Sequence, residues 1–298
     1  MEARAAEGEE VKDVSLDVIC AGEAQWKVAL LSARSSGVTL RPSGGAVNVA
    51  LALARAGLRV GLATVLDDDD FGRRSLARIA EAGVDVGGVM LARPRGGLVV
   101  VDATGGTNKV APGAEANAWL AVPEAWSSEL LLLSGLSPGL AHAAALCREA
   151  RRARRRGTMV AIDFNASLHA WAGRDARTIR MVLREVDVAR CSVADLAVLG
   201  MELAEVRAVL RETAVLVVSD AEGGAIATGS FGEVAMRADA TVSGESASPR
   251  GGGDAFTAAM CAELLRRGEP GESVSARWHR ALVRGRAAAL AALAALAP

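Results

Sequence analysis

The sequence predicts an α/β domain, a mainly parallel central sheet flanked by helices with a small β-layer over one end. Short β-branched runs alternate with longer helical patterns, as βαβ units require. The alternation pauses twice, at segments that read as hairpins. A hydrophobic fraction of 51% over 298 residues supplies a substantial core, and no linker, low-complexity tract or repeat divides the chain. The expectation is one domain over residues 1–298, with lid strands inserted at about 23–43 and 96–112.

Leu16 to Cys20 reads as the first strand. Trp26 to Leu31 with Val38 to Leu40 reads as the first hairpin. Asn48 to Ala56 is a helix closed by Gly57, Arg59 to Val65 a strand, and Phe71 to Ala82 a helix closed by Gly83, because glycine takes the left-handed residue that ends a helix. Gly97 to Asp102 and Thr107 to Ala111, joined by Ala103 to Gly106, form the second hairpin. Strands follow at Leu130 to Leu133, Met159 to Ile162, Val186 to Ala189 and Val215 to Ser219, with helices at Leu140 to Arg155, Arg177 to Glu185 and Leu203 to Arg211. Ala287 to Ala297, wholly alanine and leucine, reads as a buried terminal helix; its eleven residues are too few for a bilayer, which takes about 20.

Composition excludes several classes of function. Thirty-four Lys and Arg against 35 Asp and Glu leave a net charge of −1, with 3% aromatics and no tyrosine; no basic field and few stacking platforms for nucleic acid result. Cys20, Cys147, Cys191 and Cys261 are scattered without metal-type or paired spacing, as free thiols of a reducing compartment would be. Met1 to Asp13 is acidic and lacks a signal peptide's apolar stretch, so the expected location is cytoplasmic, with no membrane partner. The five arginines among residues 151–156 read as a solvated helix end, and Asp67 to Asp70 as a polar turn.

Gly251-Gly252-Gly253-Asp254, followed by the apolar run Ala255 to Met260, is the most informative motif. Three glycines let the backbone approach a ligand, and the helix they open aims unpaired N–H groups and a positive dipole end at an anion. A carboxylate in that first turn is held ionised and can accept a proton. Phosphoryl transfer to a hydroxyl requires both parts. The same tetrapeptide can also be a tight turn with an acidic residue at a helix start.

Ser43-Gly44-Gly45-Ala46-Val47-Asn48-Val49-Ala50, Asp68-Asp69-Asp70-Phe71-Gly72, Ala82-Gly83-Val84-Asp85 and Gly251 to Phe256 resemble, in order, the motifs of the ribokinase or PfkB-type carbohydrate kinases. Pro112-Gly113-Ala114 and Asn117 resemble the family's second lid strand and the residues just after that strand, and Asp163-Phe164-Asn165 with Trp171 is similar to the 2-keto-3-deoxygluconate kinase and fructokinase branch. The resemblance implies a ribokinase-like fold with a small β-sheet lid and an ATP-dependent sugar kinase. Asp254 would be the general base, with Gly251, Gly252 and Gly253 as the anion hole. Gly44, Gly45, Asn48 and Ser167 fall where the family contacts its sugar, and Asn165, Ser219, Gly224 and Arg250 where it contacts the nucleotide. Asp195 falls where an acidic residue works through Mg²⁺ and water; a monovalent cation is a further option, and an apolar lid strand could pair across a homodimer.

The departures are specific. Ser248-Pro249-Arg250 replaces the usual aspartate and threonines, Ser43 a glycine, Asp67 a glycine, Ser192 an asparagine and Ala221 a glycine. Near Ser167 the ketodeoxygluconate branch has a basic residue for the sugar acid's carboxylate, absent here, so Lys27, Arg41 or Lys109 on the lid would have to supply the charge. A nucleoside kinase of the same fold, or a non-catalytic sugar- or nucleotide-binding member, stay open as alternatives.

Overall fold

The computed structural model describes residues 13–30, 38–92, 98–101, 107–111, 121–136, 143–166, 171, 175–220, 222–237 and 252–295. Its main sheet has nine strands in the order β13-β12-β11-β10-β9-β8-β1-β4-β5. Seven are parallel: β1 (Val14–Gly22), β4 (Val60–Asp67), β5 (Val84–Ala92), β8 (Trp126–Ser134), β9 (Met159–Asp163), β10 (Val188–Ser192) and β11 (Val215–Ser219). An antiparallel hairpin, β12 (Ala225–Gly229) and β13 (Gly232–Met236), closes one edge. The smaller sheet runs β3-β2-β6-β7, from β2 (Gln25–Leu30), β3 (Val38–Ser43), β6 (Leu98–Val101) and β7 (Thr107–Ala111). Both expected hairpins are antiparallel pairs, β2 with β3 and β6 with β7, and a parallel β2–β6 contact joins them.

Helices cover both faces of the main sheet, as buried parallel strands demand. On one face lie α1 (Gly45–Arg55), α2 (Asp70–Glu81), α7 (Gly252–Leu265) and α8 (Val274–Ala294). On the other lie α3 (Ala143–Arg155), α4 (Arg177–Leu183), α5 (Val193–Leu199) and α6 (Leu203–Val209). Local chemistry sets their ends. The Asp69 carboxylate accepts from the Gly72 N–H at 2.7 Å to start α2, and Gly57 and Gly83 follow α1 and α2 at φ 86° and 85°, each the left-handed stop the sequence implied.

Two cores result. The first packs Leu131, Leu133, Ile162, Phe164, Ile179 and Leu196 between the sheet and α3–α6. The second packs Val18, Leu53, Leu62, Leu132, Phe256 and Trp278 beneath α1, α7 and α8. The four cysteines are buried and unbridged.

The structure corrects the terminal helix. Residues 287–295 are half-buried to exposed, because α8 rests on α7 and one alanine-leucine face meets solvent. Its inner face reaches the glycine turn, with Leu293 against Gly252. No described helix is long and apolar enough to cross a membrane. The strands β5, β12 and β13 and helix α5 carry no expectation from the sequence.

Candidate active site

The parallel strands all end on one side, where ligands of such sheets bind. Three ends converge: Gly22–Glu23 after β1, Ser134–Gly135 after β8 and Asp163–Asn165 after β9. The start of α1 presses onto them, and glycine is what permits it. Gly44 has φ 112°, and a Cβ there would stand 2.2 Å from the Glu23 carbonyl oxygen. A Cβ on Gly45 would stand 2.5 Å from Asn165 Nδ2 and 2.6 Å from Ser134 Oγ. One turn later the Asn48 amide donates to Asp254 Oδ2 at 2.8 Å, with Ser43 Oγ at 3.4 Å.

Asp254, in the first turn of α7, is thereby held from two directions. Asn165 Nδ2 donates to its other oxygen, Oδ1, at 2.7 Å. Asn165 is the one described non-glycine residue with positive φ, at 40°, a conformation that persists only where the surroundings enforce it. Burial pushes the Asp254 carboxyl up to about 7, against the Asn48 amide and the other donors that favour its ionised form. Its proton affinity thus matches neutral pH, as a general base requires. Glu23 is a second such carboxyl, raised to about 7 by burial, half-buried beside Gly44 and Gly135.

Behind α7 lies a buried polar cluster. Arg190 Nη1 donates to Asp163 Oδ1 at 3.0 Å and Nη2 to Ser219 Oγ at 2.8 Å. Thr257 Oγ1 donates to Asp163 Oδ2 at 2.7 Å. Burial raises the Asp163 carboxyl, and the Arg190 charge draws it back. Asp195 joins from β10's end at 4.0 Å from Arg190.

Of the residues singled out in the sequence, Gly44, Gly45, Asn48, Asn165 and Asp254 converge, with Gly252 and Gly253 opening α7 beneath them. Ser219 turns inward to Arg190, and Gly224 sits in the β11–β12 turn, its N–H donating to Asp220 at 2.7 Å. Asp195 completes a capping box with Ser192 at the start of α5. Its Oδ2 accepts from the Ser192 N–H and hydroxyl and its Oδ1 from the Ala166 N–H, each at 2.7 Å. Each oxygen thus accepts a hydrogen bond and Oδ1 keeps acceptor capacity, while among the described residues no cluster of three or more His, Cys, Asp or Glu could hold a metal ion.

Gly251, Arg250 and Ser167 lie outside the described residues, as do Ser248, Pro249, Ala221, Asn117 and Pro112 to Ala114. The sequence reading did not single out Glu23, Ser134, Arg190 or Thr257. For Arg190 a signal existed: it stands inside the apolar run Val188-Ala189-Arg190-Cys191, where a charge must have a buried partner.

Residues 15–295 match the profile of the family described as pfkB family carbohydrate kinase. No curated protein matches the chain. Among solved structures, a PfkB protein from Polaromonas sp. JS666 superposes with TM-score 0.70 at 25% identity, covering 95% of this chain and 97% of that one. Aminoimidazole riboside kinase from Salmonella enterica, solved with aminoimidazole riboside and an ATP analog, gives 0.71 at 22% identity over 93% and 92%. Fructokinase from Xylella fastidiosa with bound ATP gives 0.70 at 22% over 92% and 93%.

Proposed function

The chain belongs to the pfkB family of carbohydrate kinases, and on that premise we propose that it transfers the γ-phosphoryl group of ATP to a hydroxyl of a neutral sugar or ribosyl compound, with Asp254 as the base. The observation that carries this reading is the Asp254 carboxyl at the mouth of α7, held by Asn48 and Asn165 and poised near pH 7. As the acceptor hydroxyl attacks phosphorus, its proton passes to Asp254. The N–H groups opening α7, from Gly252 and Gly253 with Gly251 before them, take the charge that develops on the phosphoryl oxygens.

The acceptor lies against Gly44, Gly45 and Asn48, where backbone approaches closely and an amide offers both donor and acceptor. Glu23 supports a neutral acceptor: its Cβ lies beside Gly135 and its carboxyl is raised to about 7 by burial, an environment that disfavours a further negative charge nearby. The nucleotide lies over the ends of β10 and β11, past Ser219 and Gly224. Magnesium would neutralise charge on the nucleotide's phosphates, and its preference for phosphate and water oxygens would leave this chain's residues to act on it through water.

Coupled ADP detection across neutral sugars, sugar acids and nucleosides tests the reading. Turnover is expected on a neutral sugar or nucleoside, and Asp254→Asn should lower it by about 10²–10⁴-fold while ATP affinity stays within about threefold. Full activity in Asp254→Asn overturns the assignment, and ATP or sugar binding without turnover across the panel establishes the non-catalytic alternative.

A further inference from the structure

Arg190 is a charged side chain, 8% exposed, that takes up no proton in the transfer although its charge draws the Asp254 carboxyl down. Its Nη1 and Nη2 bind Asp163 and Ser219, its Cζ lies 5.5 Å from the Phe256 ring centroid, and its Nε is buried without a partner. A Cβ built on Gly253 would stand 3.4 Å from Nη1 and 3.6 Å from Nη2. The guanidinium therefore lies against the backbone of the first turn of α7, one residue from Asp254. Asp163 meets the same helix a turn deeper, through Thr257 at 2.7 Å.

The guanidinium thus lies at the glycine turn between two carboxylates, Asp163, which reaches α7 through Thr257, and Asp195 at 4.0 Å. A buried ion pair adds little to stability over a neutral pair of similar shape. Its geometry, however, fixes the backbone of the helix's first turn, which packs directly on the guanidinium.

We propose that Arg190 is a positioning residue for phosphoryl transfer: paired with Asp163 and flanked by Asp195, it seats the first turn of α7, against which the terminal phosphates of the nucleotide rest. This rests on the kinase reading. The recognised chemistry is a polyphosphate anion, bound through the turn and not by direct contact with the guanidinium.

The test compares Arg190→Lys, Arg190→Met and the double variant Arg190→Met with Asp163→Asn, each followed by thermal unfolding, calorimetric binding of ATP and of adenosine, and kcat. Arg190→Met alone strands a buried carboxylate and should unfold earlier. The double variant removes both charges and should regain most of that stability, yet bind ATP about tenfold more weakly and turn over about tenfold more slowly, with adenosine affinity unchanged. Arg190→Lys keeps the charge and should hold ATP affinity within about threefold.

A double variant with wild-type ATP affinity and rate overturns the inference, leaving Arg190 a packing residue. Equal loss of ATP and adenosine binding overturns it too, as does an Arg190→Lys protein as weak for ATP as Arg190→Met. Wild-type protein that binds neither ATP nor adenosine and turns nothing over removes the kinase reading and this inference together. Turnover abolished by Asp254→Asn but unchanged by the double variant removes this inference alone.

Discussion

Asn165 donates its side-chain N–H to Asp254 across 89 residues of sequence, at 2.7 Å. The bond favours the ionised carboxylate, opposing the burial that raises its proton affinity. Asn165→Ala removes that donor, so the Asp254 carboxyl moves further up. Because the base must be ionised to act, the acid limb of the kcat/KM profile, expected near pH 7, should shift upward by about one unit. Rates at pH 7 fall and rates at pH 9 largely recover. An unshifted limb with uniform loss at every pH would contradict this.

A second prediction concerns stability, and its sign is opposite to that of an ordinary salt-bridged carboxylate. Asp254 is raised from 3.8 to about 7 in the folded protein, so the folded state holds a proton that the unfolded chain has released throughout that interval. Its contribution is fully present below about pH 3.8 and is lost as pH rises through about 7. Asp254→Asn abolishes this dependence. The variant should therefore melt higher than wild type at pH 8, with the gain shrinking toward pH 5, in paired thermal denaturation curves.

Gly44 and Gly45 should respond differently to alanine. At Gly44 the backbone is left-handed and the new Cβ meets a carbonyl oxygen at 2.2 Å, so Gly44→Ala strains the fold by about 2–3 kcal/mol. At Gly45 the new Cβ meets chiefly side-chain atoms, Asn165 Nδ2 and Ser134 Oγ, with the Gly135 backbone N at 3.0 Å. Gly45→Ala should leave the melting temperature within a few degrees and lower kcat more than tenfold, because it displaces the donor to Asp254. A large stability loss at Gly45 would show that the neighbours cannot yield.

These glycines illustrate what the sequence makes legible. The alternation of elements and the helix stops at Gly57 and Gly83 can be read directly, since both arise from local conformation. Gly44, Gly45, Asn48 and Asp254 were legible as motifs, but their convergence depends on β1, β8 and β9 ending side by side, which no local pattern records. Asp163 and Arg190 are harder still, because their pairing links β9 to β10 and gains meaning only where α7 lies over both. The edge hairpin β12–β13 escaped the reading because its short alternating runs resemble a loop. The terminal alanine-leucine run misled through composition: apolar residues in a helix show that it can be buried, not that a second layer covers it.

Asp195 provides the last prediction, since its sequence position suggests work through Mg²⁺ and water while its geometry also gives it a capping task. It closes a capping box at α5 and anchors the Ala166 N–H beside Asn165. Losing such a cap costs about 1–2 kcal/mol, so Asp195→Ala should lower the melting temperature by several degrees. Ser192→Ala, which removes the reciprocal half of the box, should have an effect of similar size. If capping is the whole contribution, the magnesium concentration giving half-maximal rate stays within about twofold of wild type in both variants, even where kcat drops as Ala166 and Asn165 loosen. A tenfold rise in that concentration for Asp195→Ala but not for Ser192→Ala would instead assign the carboxylate to the hydrated ion, because only the aspartate could then be reaching it through water.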